Sequence, residues 1–63
     1  MQDLPHNIRH AREPGRFIGT DDVGVDWYIR QIGGLYFMRR ENEPLRTEHR
    51  SLADCSARIA RSY

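Results

Sequence analysis

The chain has 63 residues, ten basic and nine acidic, for a formal net charge of +1. That length allows one domain, and a chain so short buries only about 60% of its unfolded surface, so its stability is marginal without help. One cysteine, Cys55, excludes an internal disulfide, and no apolar run approaches the ~20 residues that span a bilayer. "MQDLPHNIRH" carries no apolar signal core, so the expected setting is cytoplasmic.

All ten basic residues are arginine. Arginine forks onto carboxylates and phosphates and stacks on aromatic rings, so its exclusive use bears on recognition. The near balance of charge argues against a dedicated polyanion binder, which is usually more lopsided.

In "DLPHNIRHAREPG", Asp3 stands where it can cap a short helix with Pro5 in its first turn. Leu4, Ile8 and Ala11 would then share a stripe, and "EPG" at 13–15 stops it. The stretch reads either as that helix or as a loose arm, since helices of this length are marginal alone. "RFIGT" at 16–20 is a candidate strand and "DDVG" at 21–24 is turn chemistry.

Val25 to Ile32 and Leu35 to Arg40 are the two best strands, rich in Trp, Tyr, Ile, Phe and Val. Gly33-Gly34 between them predicts a two-residue hairpin turn pairing Ile32 with Leu35 and Ile29 with Met38. One face then carries Val25, Trp27, Ile29, Tyr36 and Met38. The other carries Tyr28, Ile32, Leu35 and Phe37, interrupted by Arg30 and Arg39. A four-residue loop leaves this partition intact, whereas a three-residue loop changes it. "ENEP" at 41–44 is a turn, and Leu45 to Glu48 a brief further strand.

"SLADCSARIARSY" is the clearest helix, expected over 51–62. Ser51 caps it, with Asp54 at capping-box spacing. At about 100° per residue, Leu52, Cys55, Ser56, Ile59, Ala60 and Tyr63 share one face. Asp54 and Arg58 stand four apart in the favourable order, and Arg58 and Arg61 suit the C-terminal dipole. The fold class that follows is α+β: a small antiparallel sheet of three or four strands, packed by one C-terminal helix.

One helix covers one face, and the Trp27–Ile29 face is the expected core. Tyr28, Arg30, Leu35, Phe37 and Arg39 then form the candidate partner-binding surface, because Tyr, Trp and Arg dominate binding hot spots. Either Ile8, Phe17 and Ile18 fold over it or a partner does. The candidate partners are a larger host protein or nucleoprotein complex, a second copy of the chain, or nucleic acid. For nucleic acid the expected contacts are Arg30, Arg39, Arg40 and Arg46 beside Tyr28 and Phe37. Glu41, Glu43 and Glu48, close by in sequence, argue for a solvated Arg–Glu surface instead.

Chemical sites are weakly signalled. His6 and His10 would share a helix face, but two ligands are not a metal site and the glutamate of a zincin motif is absent. Cys55 with His49 suggests a thiol dyad, yet Cys55 lies on the apolar stripe and reads as packed. Asp21, Asp22 and Asp26 match no calcium loop and read as a solvated acidic turn. No catalytic constellation emerges, and no cofactor or metal is expected.

From "WYIRQIGGLYFMRRENEPL" to "RSLADCSARIARS" the chain resembles a hairpin-then-helix unit of tiny bacterial, plasmid and phage accessory proteins. Its whole-chain profile is also similar to phage-encoded host-takeover proteins, including anti-CRISPR proteins. That resemblance implies a non-enzymatic inhibitor that binds a host nucleoprotein complex and blocks one of its surfaces. The competing expectation is a small nucleic-acid-binding regulator that uses the Arg/aromatic sheet face.

Overall fold

A computed structural model describes residues 4–61. Five strands, β1 (Ile8–His10), β2 (Arg16–Thr20), β3 (Asp26–Ile32), β4 (Leu35–Arg40) and β5 (Arg46–His49), precede one helix, α1 (Leu52–Ala60). The strands form a single antiparallel sheet in sequence order. The architecture is α+β, an antiparallel sheet packed by one C-terminal helix.

Side chains alternate across the pleat, so the pairing register sorts them into two faces. Ile29 faces Phe17 on one side and Met38 on the other, and Met38 faces Thr47. Trp27 lies between Gly19 and Arg40, and Gly19 faces Ile8. These rows belong to the inner face, on which α1 lies. Ile8, Phe17, Trp27, Ile29, Met38, Cys55 and Ile59 are buried there, with Leu4, Tyr36 and Leu52 half-buried around them.

Local chemistry sets the connections. Gly33 has φ +62 and pairs Ile32 with Leu35, the two-residue hairpin that Gly-Gly predicts. Ser51 Oγ accepts the Asp54 N–H at 3.1 Å and starts α1, while the Arg61 N–H reaches the Ala57 carbonyl at 3.2 Å at its end. Gly19 allows the closest approach of helix and sheet: a Cβ there would overlap Ile59 Cδ1, and Ile59 is fully buried.

The N-terminal stretch is a strand, not the short helix that Leu4, Ile8 and Ala11 suggest. A lone helix of two turns gains little, whereas the free edge of β2 offers a row of unpaired backbone groups. Pairing there also buries Ile8. Asn7 fixes the arrangement across the molecule, donating from Nδ2 to the Ser56 carbonyl at 3.1 Å and accepting from Ser56 Oγ at 2.6 Å. This added edge makes five strands where three or four were expected. On α1, Ala60 is exposed despite its place on the predicted stripe; Asp3 and Tyr63 lie outside the described residues. Leu45 is exposed just before β5 instead of opening that strand.

Asp21 is the second departure. Read as part of a solvated turn, it is buried, its side chain fully so. Oδ1 accepts the Val23 and Val25 N–H groups at 3.1 and 2.9 Å; Oδ2 accepts Trp27 Nε1 at 3.0 Å and Arg40 Nε at 3.3 Å. The carboxylate thus folds the β2–β3 turn and clamps it to the core tryptophan. The Trp27 ring also lies near two guanidinium groups, Arg40 at 5.9 Å and Arg58 at 5.6 Å from its centroid. Burial alone would raise the Asp21 pKa. The bonds from Val25, Trp27, Arg40 and Val23 outweigh it and hold the carboxyl below its ordinary value.

Two outcomes follow for equilibrium unfolding in urea. Ile59→Ala is expected to cost about 2–5 kcal/mol, and half-buried Leu52→Ala less. A parent-like midpoint for Ile59→Ala would show that α1 is misplaced. Because Asp21 is depressed in the folded state, its contribution is complete above the unfolded carboxyl pKa and is lost as pH falls through the folded value. The parent is therefore expected to lose stability below about pH 4 more steeply than Asp21→Asn. Asp21→Asn is itself less stable at neutral pH, since its amide sets donors against donors.

Candidate functional site: an arginine and aromatic face of the sheet

The outer face is built from the residues between the core positions. One row crosses the whole sheet as Arg9, Ile18, Tyr28, Arg39 and Arg46; the next runs Arg16, Arg30, Phe37 and Glu48. No described helix lies on this side. Ile8 and Phe17, expected as possible covers, are inner-face core residues, and Ile18 belongs to the outer face as a sheet residue. Tyr28 is 39% exposed, and Phe37 and Leu35 are half-buried.

The register sets like charges against each other. Arg16 is directly opposite Arg30, and Arg39 is directly opposite Arg46. Such cross-strand pairs weaken a sheet by self-repulsion. Arg16 is relieved by Glu13, 3.4 Å away. Among the described residues, Arg12, Arg30, Arg39 and Arg46 make no ion pair.

The β1–β2 connection turns this face into a groove of about 350 Å³. Ile18, Tyr28 and Phe37 line it, and its charged lining is Arg12, Arg16, Arg30, Arg39 and Arg46 against Glu13 alone. The Arg39 guanidinium lies 5.4 Å from the Tyr28 ring centroid and donates to the Glu43 carbonyl at 3.4 Å. Tyr28 OH donates to Glu41 Oε1 at 3.3 Å. The Glu41 charge, then partial burial, raises the Tyr28 pKa, so the phenol stays neutral.

Tyr28, Arg30, Leu35, Phe37 and Arg39 therefore share one face, as the hairpin alternation predicts, with Leu35 at the turn end, outside the groove lining. Arg46 joins them from β5. Arg40 does not. Its parity places it on the inner face opposite Trp27, where it pairs with Asp21 and, at 3.7 Å, with Glu43. Of the acids expected to neutralise the surface, Glu43 is thus engaged by Arg40, and Glu41 accepts from Tyr28. Arg12, Arg16 and Glu13 were not foreseen, although the alternation of "RFIGT" around buried Phe17 already sends Arg16 outward.

The remaining chemical candidates are dispersed. Cys55 is fully buried; burial and the nearby Asp54 push its thiol up to about 11. His49 lies 2.7 Å from Thr47 Oγ1. His10 stands in a strand with its ring 5.2 Å from that of Phe17, not one helical turn from His6. Among the described residues no three His, Cys, Asp or Glu side chains are grouped to hold a metal, and no helix is long and apolar enough to cross a membrane.

The chain matches no family model, no curated protein and no solved structure.

A raised pKa and full burial leave Cys55 little thiolate and no path for a reagent. Labelling by a thiol reagent is expected to be slow in native buffer and fast in denaturant. Rapid native labelling would contradict the packing of α1.

Proposed function

We propose that this chain is a binding module without catalytic machinery, whose working surface is the outer face of the sheet and whose partner is anionic. The observation that supports this most is that the register sets two arginine pairs directly opposite each other, Arg16 with Arg30 and Arg39 with Arg46. Folding alone gains nothing from them. An anion held between the guanidinium groups turns the repulsion into charge-assisted hydrogen bonds. The groove beside them supplies apolar and aromatic contact through Ile18, Tyr28 and Phe37.

Masking a phosphate- or carboxylate-bearing surface of a larger host complex is the use that such a face supports without chemistry. It corresponds to the inhibitor or accessory role implied by the chain's size and architecture. A second copy of the chain is a poor occupant of this face, because it would set arginines against arginines.

The test is a trade between stability and binding. Arg46→Thr is expected to stabilise the free protein by roughly 0.2–1 kcal/mol while weakening its capture of an anionic partner. Phe37→Ala is expected to cost binding on the order of 2 kcal/mol, with a smaller loss of stability than Ile59→Ala. Arg30→Glu is expected to fold and to bind poorly. If Arg46→Thr and Arg30→Glu both fold and bind as the parent does, the working surface is elsewhere. If Phe37→Ala unfolds the domain, that face belongs to the core.

A further inference from the structure

Resting on the reading that the outer face takes an anionic partner, we infer that the partner is single-stranded nucleic acid. Three features separate this from an acidic protein surface or a duplex.

The first is the juxtaposition of charge and ring. One row runs Arg9, Ile18, Tyr28, Arg39 and Arg46, and the neighbouring row runs Arg16, Arg30, Phe37 and Glu48, so each ring is flanked by arginine within its row. A nucleic-acid strand presents the complementary pair of groups, phosphates along a sugar–phosphate backbone and planar bases beside them. Acidic peptides supply the anions but no flat apolar groups to meet Tyr28 and Phe37. Basic grooves with aromatic platforms are the means by which single strands are held without hydrogen-bond readout.

The second is shape. The β1–β2 connection, through Ala11, Arg12 and Glu13, walls one side of the groove. A rigid duplex keeps its bases stacked inside, away from the rings. A single strand can bend into the groove and turn bases onto the rings.

The third is the state of the arginines. Four of the five in the groove make no ion pair among the described residues, and Arg39 already lies over an aromatic ring. A guanidinium so placed can contact a phosphate through its edge while its plane stacks. The net charge of +1 understates the groove, whose lining holds five arginines and one acid, Glu13; Asp21 and Glu43 are engaged by Arg40, while Glu41 and Glu48 border the face.

Fluorescence anisotropy with a labelled oligothymidylate, about 12 nucleotides long so that it exceeds one site, tests the inference on the whole chain. The same-length duplex and polyglutamate serve as competitors. The oligothymidylate is expected to bind, with log K falling linearly in log salt at a slope of about −3, as for four or five neutralised phosphates. Arg46→Ala should reduce that slope by about 0.7. Tyr28→Ala and Phe37→Ala should each weaken binding about tenfold and leave the slope unchanged; urea melts of both variants confirm that they are folded. The duplex should compete less well than the single strand, and polyglutamate least.

If polyglutamate competes as well as the oligothymidylate and Tyr28→Ala binds like the parent, the partner is an acidic protein surface. The inference then fails and the outer-face reading survives. If the duplex competes better than the single strand, the single-strand inference fails in the same way. If neither anion binds at low salt, or if both bind with no effect of Arg46→Ala or Arg30→Glu, inference and reading fail together.

Discussion

A helix of nine residues can cover only one side of a five-stranded sheet. Everything else in this molecule depends on that shortage. The inner face receives the helix and concentrates the core, with Met38, Cys55 and Ile59 sealed at its centre. The outer face must be tolerable in water, and it is made so by interleaving arginines among Ile18, Tyr28 and Phe37. Placing two pairs of those arginines directly opposite each other goes further than solubility requires. Glutamate, glutamine or threonine at one member of each pair would solvate the face without self-repulsion. The arrangement is costly for the isolated fold, and that cost is what the proposed anionic partner would relieve.

The inner face meets a related difficulty at its margin. Trp27 is buried almost completely, so its indole N–H needs an acceptor inside the protein. Asp21 provides it, and in doing so must itself be desolvated. Two backbone N–H groups of its own turn and the Arg40 guanidinium complete its coordination. One carboxylate thereby joins turn geometry, the core aromatic and β4. Asn7, whose carbonyl accepts the N–H of Thr20 next to Asp21, makes a second junction by tying the chain ahead of β1 to Ser56 on α1. In a chain with no disulfide, these two polar junctions take the place of a covalent staple.

Much of this was legible in the residues. The period-two alternation on either side of Gly33-Gly34 placed Trp27, Ile29 and Met38 inside and Tyr28, Arg30, Phe37 and Arg39 outside. Ser51 and Asp54 marked the start of the helix. Arg40 follows parity and not its adjacency to Arg39: the alternation that sends Tyr36 and Met38 inward sends Arg40 there as well. The strand Ile8–His10 was not legible, because three residues show no period and Leu4, Ile8 and Ala11 fit a helix equally well. Tertiary pairing with β2 decided it. The burial of Asp21 was illegible for a similar reason: its turn contacts to Val23 and Val25 are local, but its side-chain partners Trp27 and Arg40 lie six and nineteen residues away and no local pattern announces them. The groove needed both the register, which aligned Arg16 with Arg30 and Arg39 with Arg46, and the β1–β2 wall.

Arginine Nε–Hε signals in a nitrogen-15 NMR spectrum report directly on which guanidinium groups meet an anion. With oligothymidylate added to the folded chain, the signals of Arg12, Arg30, Arg39 and Arg46 should shift together and saturate. Those of Arg58 and Arg61 on the helix, and of Arg40 beside Asp21, should stay in place. Shifts centred on Arg50, Arg58 and Arg61, with the sheet arginines unmoved, would contradict the assignment of the outer face as the working surface.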